Sequence, residues 1–87
     1  MPAAAQATRT PRVAISWDRF YDYNGIVALC TQLAQANPAL CRLEWLGESF
    51  EGRPMPLLVI ANPATGAEMT KSAMWVDGNV HGNEVQG

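Results

Sequence analysis

Cys41-Arg-Leu-Glu-Trp-Leu-Gly-Glu-Ser-Phe-Glu-Gly-Arg-Pro-Met-Pro-Leu-Leu-Val-Ile-Ala61 is the stretch that decides the fold class. Cys41, Leu43 and Trp45 alternate with Arg42, Glu44 and Leu46, and a period of two marks a strand with one face turned inward. Gly47 to Pro54 reads as a turn, because Gly47 and Gly52 are free to take positive φ. Met55 to Ala61 is a short apolar run, read as a strand covered on both faces. Pro56 belongs near its start, since proline donates no ladder hydrogen bond. Two strands around a glycine-bearing turn predict an antiparallel hairpin.

Upstream, Ile26, Leu29, Cys30 and Leu33 fall at i, i+3, i+4 and i+7, and Val27 and Ala34 widen the stripe. That pattern predicts one apolar helix face. Asp22 to Asn24 offers capping side chains at its start. Asn37-Pro38 stops it, because the residue before proline avoids helical angles. Val13 to Trp17 alternates as a short extended stretch. Residues 1–12, built of Ala, Thr, Arg, Pro and Gln, are expected to form a flexible tail. Downstream, Asn62 to Lys71 reads as a loop and Ser72 to Asp77 as a third strand. Gly78-Asn-Val-His-Gly-Asn-Glu84 then leaves that strand's C-terminal end as a polar turn. In open α/β sheets ligand sites lie beyond the carboxyl ends of strands, and the sole histidine sits at such a place. The expectation is an α/β chain of one helix, a β-hairpin and a third strand, with Trp17, Trp45 and Trp75 filling its core.

With 87 residues there is room for one small domain at most. The composition, 48% hydrophobic and 16% charged, is globular rather than disordered. Net charge is −2, and Arg9, Arg12, Arg19, Arg42, Arg53 and Lys71 are scattered. Nucleic-acid binding needs a concentrated basic face, so no nucleic acid is expected as partner. No apolar run approaches the roughly 20 residues of a membrane span, so no membrane is expected either. The first dozen residues hold no contiguous apolar core of a secretory signal, and the chain leaves a cytoplasmic or secreted location open. Cys30 and Cys41 fit no common zinc spacing and read as small apolar side chains, with a disulfide open to them only in an oxidising compartment.

The chemistry lies at His81 and Glu84. If residues 81–84 form a helical turn, the i, i+3 spacing turns both side chains to one side. One imidazole nitrogen and one carboxylate oxygen can then reach a common cation, a donor pair suited to a Lewis-acid Zn2+. Gly82 is expected to keep the turn narrow. Asp77 and Asn79 are candidate acceptors for the other imidazole nitrogen. Taken alone the spacing is weak. Five glutamates in 87 residues put one three places after a lone histidine in about one chain of seventeen.

A second motif gives it context. Gly47, Ser49, Gly52 and Arg53 form a G-x-S-x-x-G-R turn between the first two strands, and His81 and Glu84 form H-x-x-E after the third. In that order, with Tyr23, a helix and Pro38 before them, the chain resembles the zinc metallocarboxypeptidases of peptidase family M14 over about residues 20–87. The resemblance implies a mixed-sheet α/β/α fold of which residues 13–87 are the N-terminal portion. It implies Zn2+ held by His81 and Glu84, and hydrolysis of peptide or protein substrates with release of C-terminal residues. The remaining ligand, general base and substrate-binding arginines would come from the remainder of the catalytic domain, so the 87-residue chain is expected to be inactive alone. The turn residues look structural. Asn83 stands where many digestive members carry a substrate-binding arginine, so that contact is not carried over. Two other readings stand beside this one. One is a zinc deacylase of the aspartoacylase or succinylglutamate desuccinylase type, which shares an H-G-x-E motif. The other is a non-catalytic structural or interaction fragment.

Overall fold

The computed structural model describes residues 10–84. Helix α1 spans Tyr23–Ala36, strand β1 Cys41–Glu48 and strand β2 Pro54–Ile60. Two short 3-10 turns follow, Pro63–Thr65 and Glu68–Thr70, within the segment expected as a loop. No helix among these residues is long and apolar enough to cross a membrane.

Helix α1 starts where the capping residues predict. The Asp22 carboxylate accepts from the Gly25 N–H at 2.8 Å, satisfying one of the donors that the first turn leaves free. It ends at Asn37, whose N–H and side-chain amide both donate to the Leu33 carbonyl, each at 3.1 Å. A cation from outside the helix completes the end. Arg12 donates to the Ala36 carbonyl at 3.2 Å and to Asn37 Oδ1 at 3.0 Å, a favourable charge at the negative pole of the helix. Most of the expected tail, residues 1–9, lies outside the described residues.

The predicted hairpin is present. Strands β1 and β2 pair antiparallel with Cys41 opposite Ile60, Leu43 opposite Leu58 and Trp45 opposite Pro56. Ala61 N–H donates to the Leu40 carbonyl at 2.8 Å and lengthens the ladder. Between Trp45 and Glu48 two residues, Leu46 and Gly47, face the single Met55 of the other strand, which is a β-bulge. Gly47 bears it at a φ of 128°. Ser49 closes the turn three times. Its N–H donates to the Arg53 carbonyl at 2.8 Å, its carbonyl accepts from Gly52 N–H at 2.9 Å, and its hydroxyl accepts from Arg53 N–H at 3.2 Å.

Helix α1 packs on both strands, and Tyr23 fastens it to the hairpin by donating its hydroxyl to the Pro54 carbonyl at 2.7 Å. The Arg53 guanidinium lies 5.7 Å above the Tyr23 ring, a cation–π contact. On the far side, Arg42 forks onto the Glu68 carboxylate and also meets Glu44, tying the second 3-10 turn to β1. Lys71 donates to the Asn62 carbonyl at 2.5 Å and to Thr65 Oγ1 at 2.7 Å.

Three expectations are corrected. Ser72 to Asp77 forms no strand among the described residues. Apolar patterning favours an extended chain, but a strand also needs a hydrogen-bonded neighbour, and this segment has none. Strand β2 is only half-buried, with Met55 and Ile60 exposed. The tryptophans do not fill a core: Trp17, Trp45 and Trp75 are all exposed. Val13 is the one buried hydrophobic residue among those described. The sheet has a helix on one face, and the other face carries Arg42 and Glu44 opposite Val59 and Leu57.

Two consequences can be measured. Gly52 sits at a φ of 81° in open space, so Gly52→Ala adds backbone strain with no clash. It is expected to cost about 1–2 kcal/mol in urea unfolding. The second concerns pH. The hydrogen bond from Arg42 holds the Glu68 carboxyl below its usual value, and the charges of Arg42 and Lys71 act in the same direction. A carboxyl depressed in the fold adds stability above its unfolded pKa and loses it as pH falls through the folded one. Glu68→Gln is therefore expected to lower the urea midpoint modestly at neutral pH, and its difference from wild type to shrink as pH falls through the depressed pKa of the folded chain.

Candidate metal centre

The last described residues turn rather than extend. Asn79 has a φ of 56°, the left-handed region that Asn tolerates better than most side chains. This bends the chain into a turn closed by Glu84 N–H, which donates to the His81 carbonyl at 2.9 Å. The turn brings the two predicted ligands together. His81 Nδ1 lies 2.6 Å from Glu84 Oε2, and His81 N–H donates to Glu84 Oε1 at 3.3 Å. Both side chains are open to solvent, 75% exposed for His81 and 50% for Glu84.

In the tautomer that carries its proton on Nδ1, the imidazole donates to the Glu84 carboxylate. A divalent cation in place of that proton would meet the same two atoms. Zinc bonds of about 2.0–2.2 Å require the nitrogen and oxygen to part by less than about 1 Å, so the pair fits part of a zinc shell. It is only part. Among the described residues no group of three His, Cys, Asp or Glu side chains gathers where it could hold a metal ion. Cys30 and Cys41 are free thiols, half-buried at the contact of α1 with β1. Burial, with Cys41 as a smaller contributor, pushes the Cys30 thiol above its usual pKa, the opposite of what a thiolate ligand needs.

A family model described as zinc carboxypeptidase, peptidase M14, matches residues 26–87. The chain belongs to the M14 zinc carboxypeptidase family. Carboxypeptidase B of Astacus astacus is 36% identical to it over 70 residues, 80% of this chain and 22% of that relative. This M14 chain therefore spans about a fifth of the length of the curated relative it matches. The match takes in both motifs, the hairpin turn at Gly47–Arg53 and the His81–Glu84 turn.

Two details of the sequence reading change. Gly82 was expected to keep the turn narrow, yet a Cβ there would meet nothing within 4 Å and its φ is outside the left-handed region. Asp77 and Asn79 were expected as acceptors for the imidazole. No hydrogen bond joins Asp77 to His81 among the described residues. The Asn79 carboxamide, turned so that its nitrogen faces the acceptors around it, donates to the main-chain carbonyls of His81 at 2.9 Å and Glu84 at 3.1 Å. The Gly-Asn pair after an apolar run was the signal for this turn. Tyr23 and Arg53, which lock the helix to the hairpin, could not be paired from sequence, being 30 positions apart.

The open surroundings of Gly82 generate a test. Gly82→Ala is expected to leave zinc affinity within about twofold of wild type by calorimetry, since an added methyl meets no atom. A loss of tenfold or more would mean that the turn needs glycine's freedom after all.

Proposed function

We propose that this chain supplies two of the protein ligands, His81 and Glu84, to the zinc of a metallocarboxypeptidase that releases C-terminal residues from peptide or protein substrates. The convergence of His81 Nδ1 and Glu84 Oε2 on one point, in a turn open to solvent, carries this reading. His81 contributes a neutral Nδ1 donor in the tautomer that carries its ring proton on Nε2. Glu84 contributes an anionic oxygen that offsets part of a dication's charge. Zinc held there would supply Lewis-acid polarisation of the scissile carbonyl and a bound water acidified to a pKa of about 7.

Hydrolytic zinc sites use three protein ligands and a water. No third ligand gathers with His81 and Glu84 among the described residues, and the family resemblance calls as well for a general base and a group that holds the substrate carboxylate. In this reading they come from the rest of the catalytic domain. The zinc deacylases share the same H-G-x-E donors. The Ser49-centred hairpin turn and the similarity to carboxypeptidase B favour the peptidase.

Zinc titration of the 87-residue chain by calorimetry tests the assignment. Wild type is expected to bind zinc, and His81→Ala and Glu84→Ala are each expected to weaken it by about tenfold or more. Equal affinity in all three would remove both residues from the metal site. Purified alone, the chain is expected to release no C-terminal residues from peptides in the presence of zinc.

A further inference from the structure

His81 and Glu84 meet only because the chain between them is folded. In an extended segment successive side chains alternate faces, so residues three apart point to opposite sides. Packing does not hold the turn closed: both side chains are at least half exposed and nothing lies over Gly82. The closure is local. One bond is the Glu84 N–H to the His81 carbonyl. The Glu84 carboxylate adds contacts to the His81 N–H and Nδ1, and the Asn79 amide nitrogen reaches both the His81 carbonyl at 2.9 Å and the Glu84 carbonyl at 3.1 Å. These carbonyls stand at the two ends of the turn, so a single amide bridges it.

We infer that Asn79 is the positioning residue of this site, its amide holding the turn in which the imidazole of His81 and the carboxylate of Glu84 face one another. The role as a metal-site residue rests on the zinc reading above; the role in closing the turn stands without it. Asn79 serves in two ways, and they can be separated. Its backbone takes the left-handed conformation, which glycine takes as readily. Its amide donates two hydrogen bonds, which glycine cannot. Asn79→Gly therefore removes the bridge and leaves the backbone unstrained.

Two measurements on the 87-residue chain decide it. In metal-free protein, nuclear Overhauser contacts between the His81 ring and the Glu84 side chain report the closed turn. The amide spectrum of residues 41–60 reports that the hairpin is intact. Asn79→Gly is expected to lose the contacts while the hairpin spectrum stays as in wild type. Zinc affinity by calorimetry is expected to fall about tenfold, as for loss of a hydrogen-bonding support behind the ligands. Wild-type contacts together with wild-type affinity in Asn79→Gly would overturn the inference. His81→Ala serves as the control for the metal reading. If it binds zinc as wild type does, the zinc assignment fails, and the metal-free contacts alone then decide whether Asn79 closes the turn.

Discussion

The hairpin turn at Ser49 governs how the two strands and the helix of this chain meet. Ser49 bonds through its N–H, its carbonyl and its hydroxyl within five residues, which leaves the turn one length and one shape. Strand register follows from the turn. A slip of β1 by one residue would turn its side chains to the opposite face and take Cys41 and Leu43 away from the side shared with Leu58 and Ile60. The bulge at Leu46 and Gly47 absorbs the extra residue that the turn introduces. Pro54, at the start of β2, then presents its carbonyl to the Tyr23 hydroxyl, and Arg53 lies over the same ring. The helix is seated on the hairpin by groups whose positions the turn sets.

Hydrogen bonds and charges carry an unusual share of this architecture, because burial carries little. A domain of this size is marginal even when compact, and here Trp45, Phe50, Met74 and Trp75 are all exposed. The long-range ties are polar: Arg12 at the end of α1, Tyr23 on Pro54, Arg42 on Glu68 and Lys71 on the first 3-10 turn. Exposed pairs of this kind are individually weak. Their value lies in geometry, since each joins elements that share little apolar contact. The apolar residues without cover belong to a chain that spans about a fifth of its carboxypeptidase B relative.

The metal turn obeys the same economy. His81 and Glu84 face one another through main-chain and side-chain hydrogen bonds, with no packed shell to aim them. Donors in solvent adjust to a cation at small cost, but they also bind it weakly, since they are not held in the productive geometry. On the proposed zinc reading, this open turn would give its donors little pre-organisation.

Much of the fold was legible in sequence where the signal is local. The apolar stripe from Ile26 to Leu33 and the cap at Asp22 marked the helix, because both follow from the helix's own period and free amides. The alternation from Cys41 to Trp45 and the glycines of the turn marked the hairpin. The His81–Glu84 spacing marked the pair, since one helical turn is enough to bring i and i+3 together. Other features depended on partners. Ser72 to Asp77 has strand composition but no strand to pair with. Three tryptophans with the composition of a core are exposed because no described residue covers them. Asn79 reaches carbonyls rather than an imidazole nitrogen, a choice made by the backbone path and not by the residue's identity. Local periodicity and spacing determined which elements form and which side chains share a turn. Tertiary structure decided what each face meets, because burial and pairing are properties of two segments at once and neither segment encodes the other.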